Sequence, residues 1–338
     1  MENIVSSLNS IVWSYALVWT CLGVGIYFSL RTRFSQLRNI KEIVALLFGG
    51  QKSDKGISSF QGFCTALAGR IGTGNIAGVA TAIAWGGEAT FGGILGSTIA
   101  WGVKRSVYSN EAGQGTGPQA SSAAEVSHPA KQGFVQAFSV YVDTLFVCSA
   151  TGFMIMMTGS YNTYYEGSEK VIVENLPQLG IPDIGPAYTQ HAVDTLIPGF
   201  GSAFVAVALF FFAFTTLMAY YYIAEVNLTY LVKKFNKGNS SETATNILRF
   251  VILFMTAYGC IKSAALAWAM GDLGVGLMAW LNLIAIALLS NIVIKCFKDY
   301  ERQMKLGIPR DEITFDPTPL GIKNATFWED RVANSQNK

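Results

Sequence analysis

Arg70-Ile71-Gly72-Thr73-Gly74-Asn75 stands at the centre of Phe60–Trp85, an otherwise apolar stretch. A glycine inside a helix is less favourable than an alanine by about 1 kcal/mol. Two of them flanking a β-branched residue therefore predict an interrupted helix. An interruption frees backbone carbonyls that suit a hard cation. It also aims a helix N-terminus, with its partial positive charge, at a carboxylate. A second stretch, Ala89–Val103, carries Gly92, Gly93 and Gly96 followed by Ser97 and Thr98. Close packing of small residues between helices explains such glycines equally well. In Phe204–Ile223, Thr215 and Thr216 follow four phenylalanines. Their hydroxyls either bond their own i−4 carbonyls or serve as oxygen ligands for Na⁺. Arg70, Asp143 and Lys262 are ionisable residues inside apolar stretches, where a charge needs a partner or a cavity. Asp143 is read either as part of a site or as one half of an internal pair. Lys262 is close enough to a helix end to reach water.

The elements that must position these residues are membrane crossings. Ile11–Leu30, Phe204–Ile223 and Gly274–Ile294 are uncharged apolar runs. Each matches the hydrocarbon thickness as a helix. Hydrophobic residues make up 51% of the chain and charged ones 14%, against about 25% in soluble domains. Seven crossings are predicted: Ile11–Leu30, Phe60–Trp85, Ala89–Val103, Phe134–Gly159, Phe204–Ile223, Phe250–Met270 and Gly274–Ile294. Of 24 lysines and arginines, 21 then fall on one side: in 31–55, at Lys104, Arg105 and Lys131, in 233–249 and in the tail. Lys170 alone lies in the opposite loops. The Lys/Arg excess marks the cytoplasmic face, so the N-terminus is outside and the C-terminus inside.

Other classes fall away on the same residues. Ile11–Leu30 has no basic stretch before it and no small-residue cleavage site, so it reads as a crossing rather than a signal peptide. Five cysteines lie in crossings or on the inner side, which implies no disulfide framework, and their spacing is not that of a metal site. Gly72-Thr73-Gly74-Asn75-Ile76-Ala77 satisfies a loose dinucleotide pattern but lacks the preceding strand. The chain has neither H-E-x-x-H nor G-x-S-x-G, and no enzyme is expected. The net charge of +2 points to no nucleic acid. Lys41–Gly50 reads as an interfacial segment, and the polar tail from Lys295 as a cytoplasmic extension.

Ile71–Ala80 resembles the interrupted first core helix of the alanine/glycine:cation, or sodium:alanine, symporter family. Trp101–Arg105 leading to Ser109-Asn110-Glu111-Ala112-Gly113-Gln114-Gly115-Thr116-Gly117 is similar to its most recognisable later motif. His128–Gly133, Tyr141–Phe146, Ala267–Asp272 and Gly274–Asn282 continue the likeness. The resemblance implies a polytopic all-α membrane protein built as two inverted five-helix repeats, like the sodium:leucine transporters, with two broken helices. Residues 1–30 hold an extra first helix, 31–59 a basic loop, 60–294 the core and 295–338 the tail. Core helices two to five are missing, with the junction near 86–89. Phe60–Trp85 is then core helix one and Ala89–Val103 core helix six. Four crossings are an even number, so every later crossing keeps its orientation.

The function implied is sodium-coupled symport of a small neutral amino acid, alanine or glycine, across the cytoplasmic inner membrane. The substrate is expected between Gly72, Thr73, Gly74 and Asn75 on one side and Gly96 and Ser97 on the other. Na⁺ is expected at carbonyls near Ala68 and Ile71 and the hydroxyls of Thr215 and Thr216. It would neutralise and order the interrupted segment, so that ion and substrate raise each other's affinity. Loss of four neighbours exposes polar backbone, so the chain is expected not to transport alone. The alternative is a non-transporting remnant, or a membrane subunit that needs another chain.

Overall fold

In the computed structural model, residues 2–49, 56–86, 91–165, 168–235 and 241–336 are described. The chain is mostly helical, and its helices are grouped in succession into seven passes after the seven expected crossings. Five helical stretches are long and apolar enough to cross a membrane by length and composition: Ile4–Arg31, Pro129–Met157, Gly201–Phe235, Glu242–Ile261 and Leu266–Lys305. Their windows are only 6–17% buried within the molecule. Phe210, Phe214, Leu253 and Leu288 are more than half exposed. Apolar surface on this scale is a face built for lipid.

The first pass bends. Helix α1 (Glu2–Val12) and helix α2 (Tyr15–Arg31) meet at Trp13 and Ser14. The basic stretch after it forms α3 (Ser35–Arg38) and α4 (Ile40–Phe48). Ile43 and Leu47 of α4 are buried against the bundle, while Phe48 is 79% exposed. The second pass opens with α5 (Ser59–Arg70), held by a capping box in which Ser58 and Gln61 satisfy each other's backbone N–H groups. It resumes as α6 (Ala77–Gly86). Ala80 and Ala84 are wholly buried and let that helix approach its neighbours closely. The third pass is α7 (Phe91–Ser109) followed by α8 (Thr116–Ser121).

The fourth pass is α9 (Pro129–Tyr141), a π-helical turn at Val142–Cys148, and α10 (Ser149–Met157). Proline at the first position suits α9 because the missing N–H would have no partner there. Beyond α10 lies the one departure from an all-helical fold among the described residues. This is an antiparallel hairpin of β1 (Asn162–Tyr164) and β2 (Val171–Glu174), followed by α11 (Pro186–Leu196). They cap α6 at one end of the bundle. The last passes are α12 (Gly201–Phe235), α13 (Ser241–Ile261) and α14 (Ala264–Lys305), and α15 (Thr326–Gln336) closes the chain.

Several boundaries differ from the sequence expectation, among them the end of the fifth crossing, which runs past Ile223 to Phe235. The third crossing, expected to end at Val103, runs on to Ser109, so Lys104 and Arg105 lie within α7 rather than in a loop. Lys104 pairs with Asp272 at 2.6 Å, which places it beside the first turns of α14 at the hairpin end. The sixth crossing, expected as Phe250–Met270, ends at Ile261. Ser263 is extended, and its Oγ accepts the Leu266 N–H at 3.3 Å. An N-cap there starts a new helix, so Ala264–Met270 belongs to the seventh pass. Lys262 sits exposed in the turn instead of inside a crossing. The tail is no loose extension: α14 continues to Lys305, and Ile313 and Phe315 are buried against α4, α9 and α14. The junction expected near 86–89 falls, after Gly86, outside the described residues.

Candidate functional site

The second pass is interrupted where its glycines stand. Ile71 and Gly72 are extended, Thr73–Asn75 makes one 3-10 turn, and α6 begins at Ala77. Asn75, wholly buried, holds the break together. Its Oδ1 accepts the Gly72 N–H at 2.8 Å. Its Nδ2 donates to Asp143 Oδ1 at 2.6 Å, and Ser109 Oγ donates to Asp143 Oδ2 at 3.2 Å. Asp143 itself rides on the π-helical turn, an irregularity found mostly at functional positions. The structure shows the pairing of Asp143, and its partner Asn75 belongs to the interrupted segment.

The third pass is interrupted too, at a different place from the one expected. Helix α7 runs unbroken through Gly92, Gly93 and Gly96. Gly96 and Ser97 fall within it, and their side chains lie outside the described ones. The chain leaves helical geometry at Asn110–Gly115. Glu111, at φ +52°, is a non-glycine residue in the left-handed region, and Gly113 and Gly115 stand at +107° and +87°. Side chains from three elements grip this segment. Arg70 Nε donates to Asn110 O at 2.8 Å. Gln114 Nε2 donates to Val107 O at 2.6 Å, and Asn282 Nδ2 donates to Gly113 O at 2.9 Å. Tyr220 Oη donates to Gln114 Oε1 at 3.0 Å. The alternating glycines of 113–117 are the sequence signal for this break.

The two interruptions face each other across two cavities of about 650 and 470 Å³. Gly74 and Ser109 line both. The smaller also takes in Gly72, Thr73, Thr216 and Tyr220, the larger Arg105, Asn110 and Thr144. These are ordinary sizes for small-molecule sites. Arg105 lies among Trp101, Tyr108 and Trp268, with its charge centre 5.3–5.8 Å from each ring centroid.

The residues expected at the ion are partly gathered. A Cβ added to Gly72 would stand 2.7 Å from Thr216 Oγ1, so that hydroxyl touches the interrupted segment. It is buried and makes no hydrogen bond. Thr215 donates its proton to Phe211 O at 3.0 Å within its own helix, which leaves only its lone pairs for a ligand. Ala68 and Ile71 flank the end of α5. The Gly72 N–H that would cap the Ala68 carbonyl in a continuous helix turns instead to Asn75. The donors are oxygens, as Na⁺ requires. Among the described residues, no cluster of His, Cys, Asp and Glu could hold another kind of metal ion.

Known proteins are similar to this chain in sequence. The family described as the sodium:alanine symporter family matches residues 1–91 and, in a second block, 88–314. YrbD of Bacillus subtilis (strain 168) is 38% identical over an alignment of 493 positions that covers 100% of both chains. The chain supplies 338 residues to it, 155 fewer than its positions. The sodium/proton-dependent alanine carrier protein of Bacillus sp. (strain PS3) is 54% identical over 75% of this chain, which is 55% of the relative. The sodium/alanine symporter AgcS of Methanococcus maripaludis is 32% identical over 64% of this chain and 43% of its own length. The chain therefore spans about half the length of these two relatives. The family match restarts at residue 88, beside the expected junction. Matched over residues 1–91 and 88–314, this multi-pass chain belongs to the sodium:alanine symporter family, a family of transporters and not of enzymes.

Proposed function

We propose that the chain is built for sodium-coupled symport of a small neutral amino acid, alanine or glycine, across the cytoplasmic inner membrane. The observation that carries this reading is the meeting of two interrupted passes at Gly74 and Ser109 with an unbonded buried hydroxyl, Thr216, against Gly72. Irregular backbone at membrane depth is tolerated where it lines a cavity. Paired interruptions are the sequence mark of a transporter site. Gly72, Thr73, Gly74 and Asn75 meet the substrate from one side; the Gly72 and Asn75 N–H groups are bonded within the turn, so the carboxylate takes the N–H groups of Thr73 and Gly74. The opposite wall is Ser109 and its neighbours, with Gly96 and Ser97 further along the same helix. Na⁺ sits between the end of α5 and Thr215 and Thr216. The relatives' names, sodium/alanine symporter and sodium/proton-dependent alanine carrier, support this substrate and ion.

The N-terminus is outside and the C-terminus inside. In the sequence, Lys131, the stretches 31–55 and 233–249 and the tail still hold the basic excess, even with Lys104 and Arg105 reassigned to α7. Lys170 and Lys262 are the basic residues of the loops at the hairpin end.

Core helices two to five are the part left out, and without them the 338-residue chain does not complete a transport cycle. The 155 absent positions favour a second reading, a remnant or a subunit completed by another chain. Proteoliposomes with a sodium gradient and labelled alanine test both. The chain alone gives uptake no higher than empty liposomes, and a version with the four crossings restored gives saturable, sodium-dependent uptake. Failure of the restored version sinks the symport reading. Sodium-dependent uptake by the short chain would show that seven passes suffice.

A further inference from the structure

Helix α2 ends at Arg31 and α14 at Lys305, and the two ends share a cavity of about 380 Å³, apart from the two at the interruptions. Arg31, Arg33, Lys298, Arg302 and Lys305 line it, against one carboxylate, Glu301. That carboxylate is already taken by Arg38, which is not part of the lining. Arg302 is paired too, with Asp299 at 2.5 Å. The other four cations, Arg31, Arg33, Lys298 and Lys305, form no ion pair with a described carboxylate. Like charges around one hollow repel one another, and an anion shared between them relieves this.

The wall on the α2 side is fixed by the backbone. Phe34 N–H donates to Ser29 O at 2.7 Å, and Gln36 Nε2 donates to Ser29 Oγ at 2.9 Å. These bonds fold the chain back on the end of α2. The turn puts Arg33 and Phe34 at φ +55° and +53°, a left-handed conformation that residues with a Cβ rarely adopt. Such backbone is kept where its surroundings over-determine it, and it clusters at ligand sites. The Arg38–Glu301 pair then ties this turn to α14.

The place of the cavity selects the anion. Ile4–Arg31 and Leu266–Lys305 are both long and apolar enough to cross a membrane, and the cavity lies where they end. Leu30 and Leu306 are more than half exposed at its edge. Further back along the same helices, Ile26 and Leu288 are more than half exposed as well. A phosphate held among the cations thus has apolar helix faces beside it for acyl chains. Guanidinium groups match phosphate oxygens in pairs, and basic pockets between membrane helices on the cytoplasmic side take lipid headgroups.

We propose that this cavity binds the phosphate of an anionic phospholipid such as phosphatidylglycerol, on the side where the basic loops gather. The proposal stands without the symport reading, because it involves neither interruption.

Electron spin resonance of the 338-residue chain in phosphatidylcholine vesicles tests it without any uptake. Spin-labelled phosphatidylglycerol and spin-labelled phosphatidylcholine report the lipid immobilised on the protein. A several-fold preference for phosphatidylglycerol is expected. Arg33→Gln with Lys298→Gln brings it down to the phosphatidylcholine level, and Lys305→Gln alone lowers it by less. Lys233→Gln with Lys234→Gln, in another basic stretch, keeps it. An unchanged immobilised phosphatidylcholine fraction shows that each variant is inserted. No preference in the parent chain, a preference that survives the Arg33 and Lys298 pair of substitutions, or an equal loss in the Lys233 and Lys234 pair overturns the proposal. Inorganic phosphate separates the two sources of the anion. If it abolishes the preference where sodium chloride of equal ionic strength does not, the cavity is a free-phosphate site and the lipid assignment is overturned.

Discussion

Two regions of the molecule bury charged and polar side chains, and they treat them in opposite ways. At the tail end the buried charged side chains have partners, although the Gln132 amide beside Lys131 has none. Glu42, 5% exposed, accepts from Tyr300 Oη at 2.7 Å and from Arg310 Nε at 2.7 Å. Lys131 Nζ donates to Ser127 Oγ and to Arg310 O, and Ser127 Oγ donates to Ile313 O. Asp299 accepts from Arg302, Gln303 and His128. At the two interruptions, the hydroxyl of Thr216 is buried with no hydrogen bond. A bare buried acceptor is destabilising by about 1–3 kcal/mol. The tail end is built to stay as it is. The interruptions keep an open acceptor, Thr216 Oγ1, where an ion could supply what is missing.

The largest effect that sharpens this comparison is expected at Gly74. A Cβ there meets Ser109 Cβ at 3.5 Å, ordinary contact, so a small residue fits. A leucine does not stop at Cβ; it reaches into the two cavities that Gly74 lines. In a chain with the four crossings restored, Gly74→Leu abolishes alanine uptake and leaves membrane insertion unchanged. Uptake at the unaltered rate would remove Gly74 from the site. The next effect belongs to the other region. Glu42→Ala strips partners from Tyr300, which is wholly buried, and from Arg310, which is half exposed. It costs about 2 kcal/mol, mostly from the tyrosine hydroxyl. Limited proteolysis reads this as faster cleavage within 306–336. An unchanged cleavage rate would show that the cluster does not hold the tail down.

How far the sequence discloses these regions depends on what each is made of. The break at Gly72–Asn75 is legible because glycine acts locally, and Asn75 then caps it from three residues away. The sequence points to a second break at Gly92–Thr98, since three glycines and two hydroxyl residues look alike whether they pack or unwind. The real break needs φ > 0 at Gly113 and Gly115 and long-range hydrogen bonds from Arg70, Tyr220 and Asn282. Sequence spacing carries none of those. Lys104 and Arg105 look like loop charges when charge alone is weighed. In the fold, Asp272 and a set of aromatic rings make their burial tolerable. The tail is the least legible, since its partners Glu42 and His128 are more than 150 residues away.

The pH dependence of the tail end gives a smaller effect. His128 is fully buried, and desolvation pushes its pKa from 6.5 down to about 4, against the opposing pull of Asp299. Its Nδ1 accepts the Ala130 N–H at 3.1 Å, so in the neutral ring the proton sits on Nε2, facing Asp299 Oδ2 at 3.4 Å. The folded pKa lies below the unfolded one. The contribution of a neutral His128 is therefore complete above about pH 6.5 and is lost as pH falls towards 4. The tail becomes protease-sensitive over that window, by up to about 3 kcal/mol of local stability. A tail equally resistant at pH 7 and pH 4.5 would show that His128 is not held neutral.

The smallest effect tests the open side of the comparison at a single atom. Thr216→Val keeps the side-chain shape and removes the Oγ1 that touches Gly72. That oxygen has no hydrogen bond to lose, so the protein gains or loses little stability. A hydroxyl kept bare for packing would leave function untouched. A hydroxyl kept bare for Na⁺ removes one ligand when it goes, and the remaining carbonyls and Thr215 hold the ion more weakly. In the restored chain, the sodium concentration for half-maximal alanine uptake rises several-fold, while uptake at saturating sodium is kept. Thr215→Val moves the same quantity less, because Thr215 already spends its proton on Phe211. If Thr216→Val changed the alanine dependence and left the sodium dependence alone, Thr216 would line the substrate and the ion would have to be sought elsewhere.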